Sequence, residues 1–293
     1  MARARRDHGR GPGVLVEDGV DLHLHSTCSD GSSTPTEVAE RAAERGLSVI
    51  SLTDHDSVSG VAEAQAAGEA YGVRVVPGSE LSIKLKDHDI HILGYFLDIE
   101  NDQLNTSLAL YRDERRNRAE RIVRKLNRLG IRITFEQVLA KADGAAIGRP
   151  HVADVLVEEG FCFSPNEAFN KYLGYGKTAY EEKYVMGPPE AVEVIHSAGG
   201  IAVIAHPVLY RSDDILPALV EQGMDGIEVW HIKHKPDDVR RYSAFADEHG
   251  LLKSGGSDCH GDGRGDAVMG KVDVPLSVFE ALEAGRAQTS GSQ

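Results

Sequence analysis

Short apolar and β-branched runs alternate with helical patterns along most of this 293-residue chain. Seven such runs predict β-strands, at residues 19–25, 47–53, 74–77, 90–97, 200–205, 226–230 and 251–257. Helices are predicted between them, for example over residues 36–45, where Thr34 supplies a capping side chain, and over the alanine-rich residues 58–71. Strand followed by helix, repeated, predicts a largely parallel sheet or barrel with right-handed crossovers.

The alternation stops between residues 101 and 186, where the pattern is mainly helical. One long helix is predicted there by an apolar stripe of Leu104, Leu108, Tyr111, Ile122, Leu126 and Leu129. The same helix carries a dense basic run of Arg112, Arg115, Arg116, Arg118, Arg121, Arg124, Lys125 and Arg128. Such a run is often a solvated face whose charges pair with acidic neighbours such as Glu114 and Glu120. Arg115 falls on the apolar stripe, however, which favours a side chain directed at protein or ligand.

Length and composition allow either one barrel-sized α/β domain with an insertion or two modest domains. The pattern favours the first: barrel segments at residues 16–100 and 187–287, and a helical insertion at residues 101–186. Residues 1–15 are rich in Arg and Gly, and we expect a disordered basic tail, although its arginines would also suit contact with RNA. No signal peptide or membrane anchor is recognised in this tail.

The chain is acidic, with 32 Lys and Arg against 46 Asp and Glu and a formal net charge of −14. This charge argues against a protein that coats duplex DNA or an anionic membrane, so a polyanionic substrate has to be attracted locally. Cys28, Cys162 and Cys259 are odd in number and lack CxxC spacing, which indicates neither a disulfide framework nor a thiolate zinc site. We therefore expect a cytoplasmic protein. The oligomeric state stays open.

The first candidate for chemistry is the pair His23 and His25, at the end of the first predicted strand. Side chains two residues apart on a strand point to the same side, so both imidazoles can reach one ion. Asp30 follows in a turn. Taken alone, a pair of this kind is more often surface or core histidine than a metal site.

Ligand-type side chains recur at the later predicted strands. They are Asp54, His55 and Asp56 after the second, Glu80 after the third, His91 within the fourth, His206 after the fifth, His231 after the sixth, and Asp258 and His260 after the seventh. The carboxyl ends of parallel barrel strands lie on one face, where catalytic groups assemble. Singly, each residue has a structural explanation, since Asp54 or Asp56 would also cap the next helix. Together they indicate a cation site, and imidazole with carboxylate suits Zn, Mn or Fe.

These motifs, in this order from residue 19 to 261, resemble those of the polymerase and histidinol phosphatase (PHP) family. The branch that matches best includes nucleoside 3′,5′-bisphosphate phosphatases and a 5′-to-3′ exoribonuclease, whose helical insertion carries a Gly-Arg-Pro-His motif like residues 148–151 here. The resemblance implies a distorted seven-stranded (β/α) barrel, related to the TIM barrel, with two to three divalent metal ions. It also implies, position by position, which residues bind them.

By that resemblance, one ion is held by His23, His25, Glu80 and Asp258, a second by Glu80, His91 and His206, and a third by Asp30, His55 and His260. Glu80 bridges the first two ions. Three carboxylates against three divalent ions leave a positive local charge that would attract phosphate.

Residues of the insertion resemble family positions that bind substrate phosphate. Arg149 and Lys177 are the two positions that match, and an arginine fork suits this task. His151 either helps to bind substrate or only occupies the first helical turn after Pro150. Arg115 and His231 complete the expected substrate-binding set, and His231 or His234 is also a candidate for protonating the leaving group.

The predicted function is metal-dependent hydrolysis of a phosphomonoester of a small nucleotide, such as a nucleoside 3′,5′-bisphosphate, by attack of a metal-bridging hydroxide on phosphorus. A first alternative is a 5′-to-3′ exoribonuclease acting on short 5′-monophosphorylated RNA, with the arginine-rich helix following the strand. A second is a non-phosphatase metal-dependent hydrolase on the same scaffold. A non-catalytic module is disfavoured because all the matched ligand positions are filled.

Overall fold

The computed structural model describes residues 19–86, 88–142, 147–182, 186–210, 212–261 and 268–289. The basic tail expected over residues 1–15 lies outside the described residues. In the described part of the chain, no helix is both long and apolar enough to cross a membrane.

Seven strands form one sheet in sequence order: β1 (Gly19–Leu24), β2 (Leu47–Leu52), β3 (Arg74–Leu85), β4 (His88–Tyr95), β5 (Ile201–Ile204), β6 (Gly226–His231) and β7 (Leu252–Gly256). The pairs β1/β2, β2/β3, β5/β6 and β6/β7 are parallel. However, β4 runs antiparallel to both β3 and β5, so the sheet is mixed rather than parallel throughout. The reason is local: the link from Leu85 to His88 is too short for the crossover of a dozen residues that parallel neighbours need.

The sheet nearly closes into a barrel where the chain beyond β7 returns to the end of β1. The His25 N–H donates to the carbonyl of Cys259 at 3.0 Å, and Leu24 pairs with Cys259 in parallel register. A Cβ atom on Gly256 would lie 2.4 Å from the backbone nitrogen of His23, so only glycine permits this approach. The expected seven-stranded barrel is therefore confirmed.

The helices are α1 (Pro35–Glu44), α2 (Val61–Tyr71), α3 (Asp102–Arg128), α4 (Phe135–Ala142), α5 (Arg149–Glu158), α6 (Pro165–Ala168), α7 (Pro188–Ser197), α8 (Leu216–Glu221), α9 (Pro236–His249) and α10 (Leu276–Thr289). Thr34 caps α1 as predicted, because its hydroxyl accepts the Glu37 N–H at 3.2 Å while the Glu37 carboxylate accepts the Thr34 N–H at 2.8 Å. Such a cap stabilises a helix by about 1 kcal/mol.

Helix α3 joins two separate hydrophobic clusters. Leu104 and Leu108 pack in the cluster that contains Leu81 of β3 and Ile92 of β4. Ile122 and Leu126 pack instead with residues of α4 and α5. Leu129, which was expected on the same apolar stripe, is 49% exposed because α3 ends at Arg128 and Leu129 only caps it. One rigid helix thus ties the helical insertion to the barrel.

Candidate metal centre

Glu80 lies at the centre of a cluster of imidazoles at one end of the barrel. It was expected just after a strand ending at residue 77, but β3 continues to Leu85 and carries Glu80 in its middle. Because β4 is antiparallel to β3, His91 in the first half of β4 lies beside it, with Nδ1 2.7 Å from Glu80 Oε1. His206, in the loop after β5, places Nε2 2.9 Å from the same oxygen.

The other carboxylate oxygen of Glu80 faces the two histidines at the end of β1, His23 and His25. Its Oε2 lies 3.4 Å from His23 Nε2 and 3.3 Å from His25 Nε2. Asp258 Oδ1 lies near the same two nitrogen atoms, 3.5 Å from His23 Nε2 and 3.2 Å from His25 Nε2. Two ligands each about 2.1 Å from a tetrahedral ion are themselves about 3.4 Å apart, so this spacing is that of atoms around one ion.

A third set of expected ligands lies next to these residues, in the loops after β1, β2 and β7. Asp30 Oδ1 is 3.1 Å from His260 Nε2 and 3.9 Å from His55 Nε2. The other ring nitrogen of His55 is 3.0 Å from Glu80 Oε2, so His55 lies between this set and Glu80. The nine residues expected as ligands are therefore brought together in one cluster, although they are spread over more than 230 residues of sequence.

Unpaired polar atoms show that this cluster fits cations. His23 Nε2, His25 Nε2, His55 Nδ1 and Glu80 Oε2 are buried and have no hydrogen-bond partner among the described residues. A buried polar atom without a partner costs about 1–3 kcal/mol, so several at one point are unfavourable unless a shared ligand compensates. Nitrogen and oxygen donors without sulfur suit Zn, Mn or Fe.

The charges of the cluster follow from burial and from close opposite groups. Burial opposes protonation of His25, but the carboxylates of Asp258 and Glu80 outweigh it and raise its pKa to about 10. Burial lowers the pKa of His55 to about 3, and the neighbouring His25 and His91 add to this effect. Burial also opposes ionisation of Glu80, yet the surrounding imidazoles hold its pKa well below the ordinary value. Glu80 is therefore anionic, and positive charge from protonated imidazoles or from a bound cation compensates it.

Three residues at the centre have left-handed backbone conformations that only glycine adopts readily. They are Asp56 with φ 47°, His206 with φ 24° and Asp258 with φ 55°. Such conformations cost about 1–3 kcal/mol each and persist where the surrounding structure fixes them, often at functional sites.

Two buried carboxylates support the centre without being among the nine expected ligands. Asp54 does not cap the next helix: it accepts the Ser26 N–H at 2.7 Å and the Ser29 hydroxyl at 2.6 Å, which orders the loop leading to Asp30. Glu228 in β6 accepts hydrogen bonds from His23 and His206. The available signal was an acidic residue between Ile227 and Val229 in an apolar strand, because a buried carboxylate needs donors.

A cleft of about 280 Å³ opens over the centre. Its lining includes Asp30, His55 and His91 of the cluster and Arg115, Arg118 and Arg149 of the insertion. Arg118 was not singled out from the basic run. Burial, together with nearby Arg149, lowers the pKa of Arg118 to about 10, which still leaves it cationic at neutral pH. The cleft therefore has a cationic wall in an acidic protein.

Arg115 is fixed by the barrel. Its Nη2 forms an ion pair with Asp56 and donates to the Ser82 hydroxyl at 3.0 Å, while its Nε is buried without a partner among the described residues. Asp56, a possible helix cap by sequence, thus anchors α3 instead. Arg149 lies over the rings of Phe169 and Tyr180, with its guanidinium carbon 5.7 and 5.8 Å from the ring centroids.

The remaining candidates occupy different places. Lys177 is exposed and does not line the cleft. His151 is buried and its Nδ1 accepts the Gly148 N–H at 3.0 Å, beside a smaller cavity that it shares with Asp30 and His55. His231 is buried inside the barrel, with Nε2 3.5 Å from Asp258 Oδ2. His234 instead donates from Nδ1 to the Val229 carbonyl at 2.8 Å.

Much of the basic run on α3 is neutralised by acidic partners. Arg116 and Arg124 flank Glu120 at 3.8 and 3.5 Å. Arg121 and Lys125 pair with Glu181 at 3.2 and 2.9 Å. The arginines that line the cleft are therefore distinct from those on the outer face of the helix.

Comparison with known proteins gives consistent matches. The PHP domain model matches residues 21–155. A 3′,5′-nucleoside bisphosphate phosphatase from Chromobacterium violaceum is 38% identical over 278 residues, which are 90% of this chain and 96% of that protein. A 5′-3′ exoribonuclease from Haemophilus influenzae is 36% identical over 245 residues, 82% of this chain and 89% of that protein. A crystal structure from Bifidobacterium adolescentis, provisionally assigned as a metal-dependent phosphoesterase, has a TM-score of 0.78 and 32% identity and covers 92% of this chain and 96% of its own. This chain therefore belongs to the PHP-domain family and is a metal-dependent phosphoesterase.

Proposed function

We propose that this enzyme removes a phosphate group from a small nucleotide such as a nucleoside 3′,5′-bisphosphate. The observation that carries the proposal is the cleft, because three arginines line it together with imidazoles and a carboxylate of the cluster. A substrate with two phosphate groups matches this arrangement, with the scissile group at the cluster and the second group at the arginines. The 38% identical relative that acts as a nucleoside bisphosphate phosphatase supports the same substrate class.

The ligands we propose for two to three divalent cations are His23, His25, Asp30, His55, Glu80, His91, His206, Asp258 and His260, with Mn, Zn or Fe as the metal. When bound there, such cations neutralise charge on the phosphate oxygens and lower the pKa of water, which makes a nucleophile available near neutral pH. The protein's own contribution is to hold these side chains in place and to orient the substrate.

The insertion provides that orientation. Arg115 cannot swing freely because Asp56 and Ser82 hold it where it lines the cleft. Arg149 is held by its two aromatic neighbours and by the Leu173 carbonyl, which its Nη1 contacts at 3.3 Å. Guanidinium groups fixed before binding lose little conformational entropy when phosphate arrives. Of the other residues expected to bind substrate, His151 borders the smaller cavity beside Asp30 and His55 and is the member we keep in this set. His231 is buried and Lys177 does not line the cleft, so neither takes part in this orientation.

The proposal is tested by measuring phosphate release from adenosine 3′,5′-bisphosphate with the metal-loaded enzyme. Shortening of 5′-phosphorylated oligoribonucleotides is measured on the same preparation. Inertness toward both substrates would contradict the proposed substrate class.

The described cysteines are free thiols, which supports a reducing cytoplasm as the location of this activity.

Replacement of Arg149 by Ala is expected to raise KM for the bisphosphate by roughly 10- to 100-fold and to leave kcat within a few fold. The reason is that a hydrogen bond to a charged group contributes about 1.5–3 kcal/mol, here mainly to binding. Steady-state kinetics measure both constants. Arg124→Ala, on the outer face beside Glu120, is the matched control and should keep the wild-type KM. An unchanged KM in Arg149→Ala would remove this residue from the phosphate site.

A second candidate function, 5′-to-3′ trimming of short RNA, is favoured by two neighbouring tyrosines, one of which lines the cleft. Tyr180 lines the cleft next to Arg149. Tyr175 is 80% exposed, and its ring centroid lies 5.4 Å from that of Tyr180. Exposed aromatic rings beside a phosphate-binding cleft suit stacking of nucleic-acid bases, which is worth about 1–3 kcal/mol per base. The 36% identical exoribonuclease supports this alternative.

Tyr175→Ala separates the two candidates. If RNA is the substrate, kcat/KM for a 5′-phosphorylated tetranucleotide should fall by roughly 5- to 100-fold through lost stacking, while the value for the bisphosphate stays within about twofold. Tyr71→Ala is the control, since Tyr71 is also exposed but ends α2, whereas the ring of Tyr175 packs against Tyr180 of the cleft. Equal rates on the tetranucleotide for Tyr175→Ala and wild type would count against the RNA function.

A further inference from the structure

Glu228 is a fully buried carboxylate in β6 that lies behind the proposed ligands. Its exposure is 0%, and Ile227 and Val229 on either side of it are equally buried. Desolvation of a carboxylate is costly unless donors compensate for the lost water. The groups that contact Glu228 must therefore compensate for its lost hydration.

Both carboxylate oxygens of Glu228 contact proposed ligands. Oε1 lies 3.0 Å from His23 Nδ1, and Oε2 accepts the backbone N–H of His206 at 2.6 Å. The first contact places the His23 proton on Nδ1, because an ionised carboxylate only accepts. In the neutral ring, which is the form that binds a metal, the lone pair is then on Nε2, the atom that faces Glu80 and Asp258.

The second contact acts on the backbone. His206 adopts the left-handed conformation with φ 24°, and the Glu228 oxygen holds its N–H in that conformation. The His206 side chain then reaches Glu80 Oε1 at 2.9 Å. One carboxylate thus controls a ring tautomer at one ligand and a strained main chain at another.

We propose that Glu228 is a positioning residue for metal binding, through the tautomer of His23 and the backbone of His206. The proposal rests on the ligand set proposed above. Its chemistry requires a carboxylate: both partners are donors, and glutamine offers one acceptor oxygen where glutamate offers two. Outer partners of metal-binding histidines affect metal affinity by about 10- to 100-fold.

The test is Zn²⁺ affinity of Glu228→Gln, measured by titrating metal-stripped protein in competition with a chromophoric chelator. We expect affinity about 10- to 100-fold below wild type. Asp225→Asn is a closely matched control, because Asp225 also accepts one backbone N–H, from Ala202 at 2.7 Å, and contacts one imidazole nitrogen, His196 Nε2 at 2.7 Å. It does so at the opposite end of β5 and β6 from the cluster. Asp225→Asn should lower the melting temperature and bind Zn²⁺ like wild type.

Wild-type Zn²⁺ affinity in Glu228→Gln overturns the inference. Equal losses of Zn²⁺ affinity in Glu228→Gln and Asp225→Asn also overturn it, because they show a general effect of stability on metal binding. If Glu228→Gln does not fold, Glu228→Asp is titrated instead, since the shorter side chain cannot keep both contacts. Failure of both to fold while Asp225→Asn folds would assign Glu228 to the fold alone. A wild-type protein that binds no Zn²⁺, Mn²⁺ or Fe²⁺ would refute the proposed ligand set instead.

Discussion

Glu80→Gln is expected to lower kcat/KM for phosphate release by at least about 10³-fold. This is more than the 10- to 100-fold loss that is typical when a residue that only orients a metal ligand is replaced. Glu80 contacts the imidazoles of His23, His25, His55, His91 and His206 through its two oxygens. The amide keeps the shape of the side chain and removes its negative charge and one acceptor atom. No other described carboxylate lies within salt-bridge distance of so many imidazoles, so no neighbour replaces it.

The assay compares phosphate release and metal content of Glu80→Gln with those of Glu158→Gln. Glu158 is an exposed carboxylate that pairs with Lys141 on the insertion, and its replacement should leave kcat/KM unchanged. Far-UV circular dichroism verifies that both variants are folded. More than about a tenth of wild-type activity in Glu80→Gln would contradict a central role for Glu80, because a tenfold change corresponds to only about 1.4 kcal/mol of transition-state stabilisation.

Removal of divalent metal is expected to abolish activity and to lower the melting temperature together. Cations that bind only the folded protein stabilise it by about 4 kcal/mol when their free concentration is 1,000 times Kd. For a protein of this size such a change corresponds to a shift of roughly 10 °C. The structure gives the reason: the buried atoms His23 Nε2, His25 Nε2 and Glu80 Oε2 have no hydrogen-bond partner among the described residues.

The measurement is calorimetry and phosphate release after chelation, then after addition of Mn²⁺, Zn²⁺ or Fe²⁺ separately. The cation that restores both activity and melting temperature at the lowest concentration identifies the preferred metal. Glu80→Gln serves as the internal control and should gain less melting temperature from added metal than wild type. Undiminished activity in thoroughly stripped wild-type protein would refute a metal-dependent mechanism.

Much of the architecture was readable from sequence because its causes are local. Apolar runs of strand length marked all seven strands, and Thr34 followed by Glu37 marked the start of α1. The candidate ligands were also readable, since histidines and acids recur where the strands approach one end of the barrel. Their sorting into sets came from family resemblance, because alternation along a strand says which face a side chain takes and not which distant residue it meets.

The sequence by itself determined the order of elements and the inventory of imidazoles and carboxylates, since both depend on short-range pattern. Tertiary structure decided what those residues contact: the antiparallel β4 brings His91 to Glu80, Asp56 anchors Arg115, and Glu228 reaches His23. It also decided that Glu181 pairs with Arg121 and Lys125 while Arg118 lines the cleft. These contacts join residues far apart in the chain, and only the packing of sheet against helix sets the distances between them.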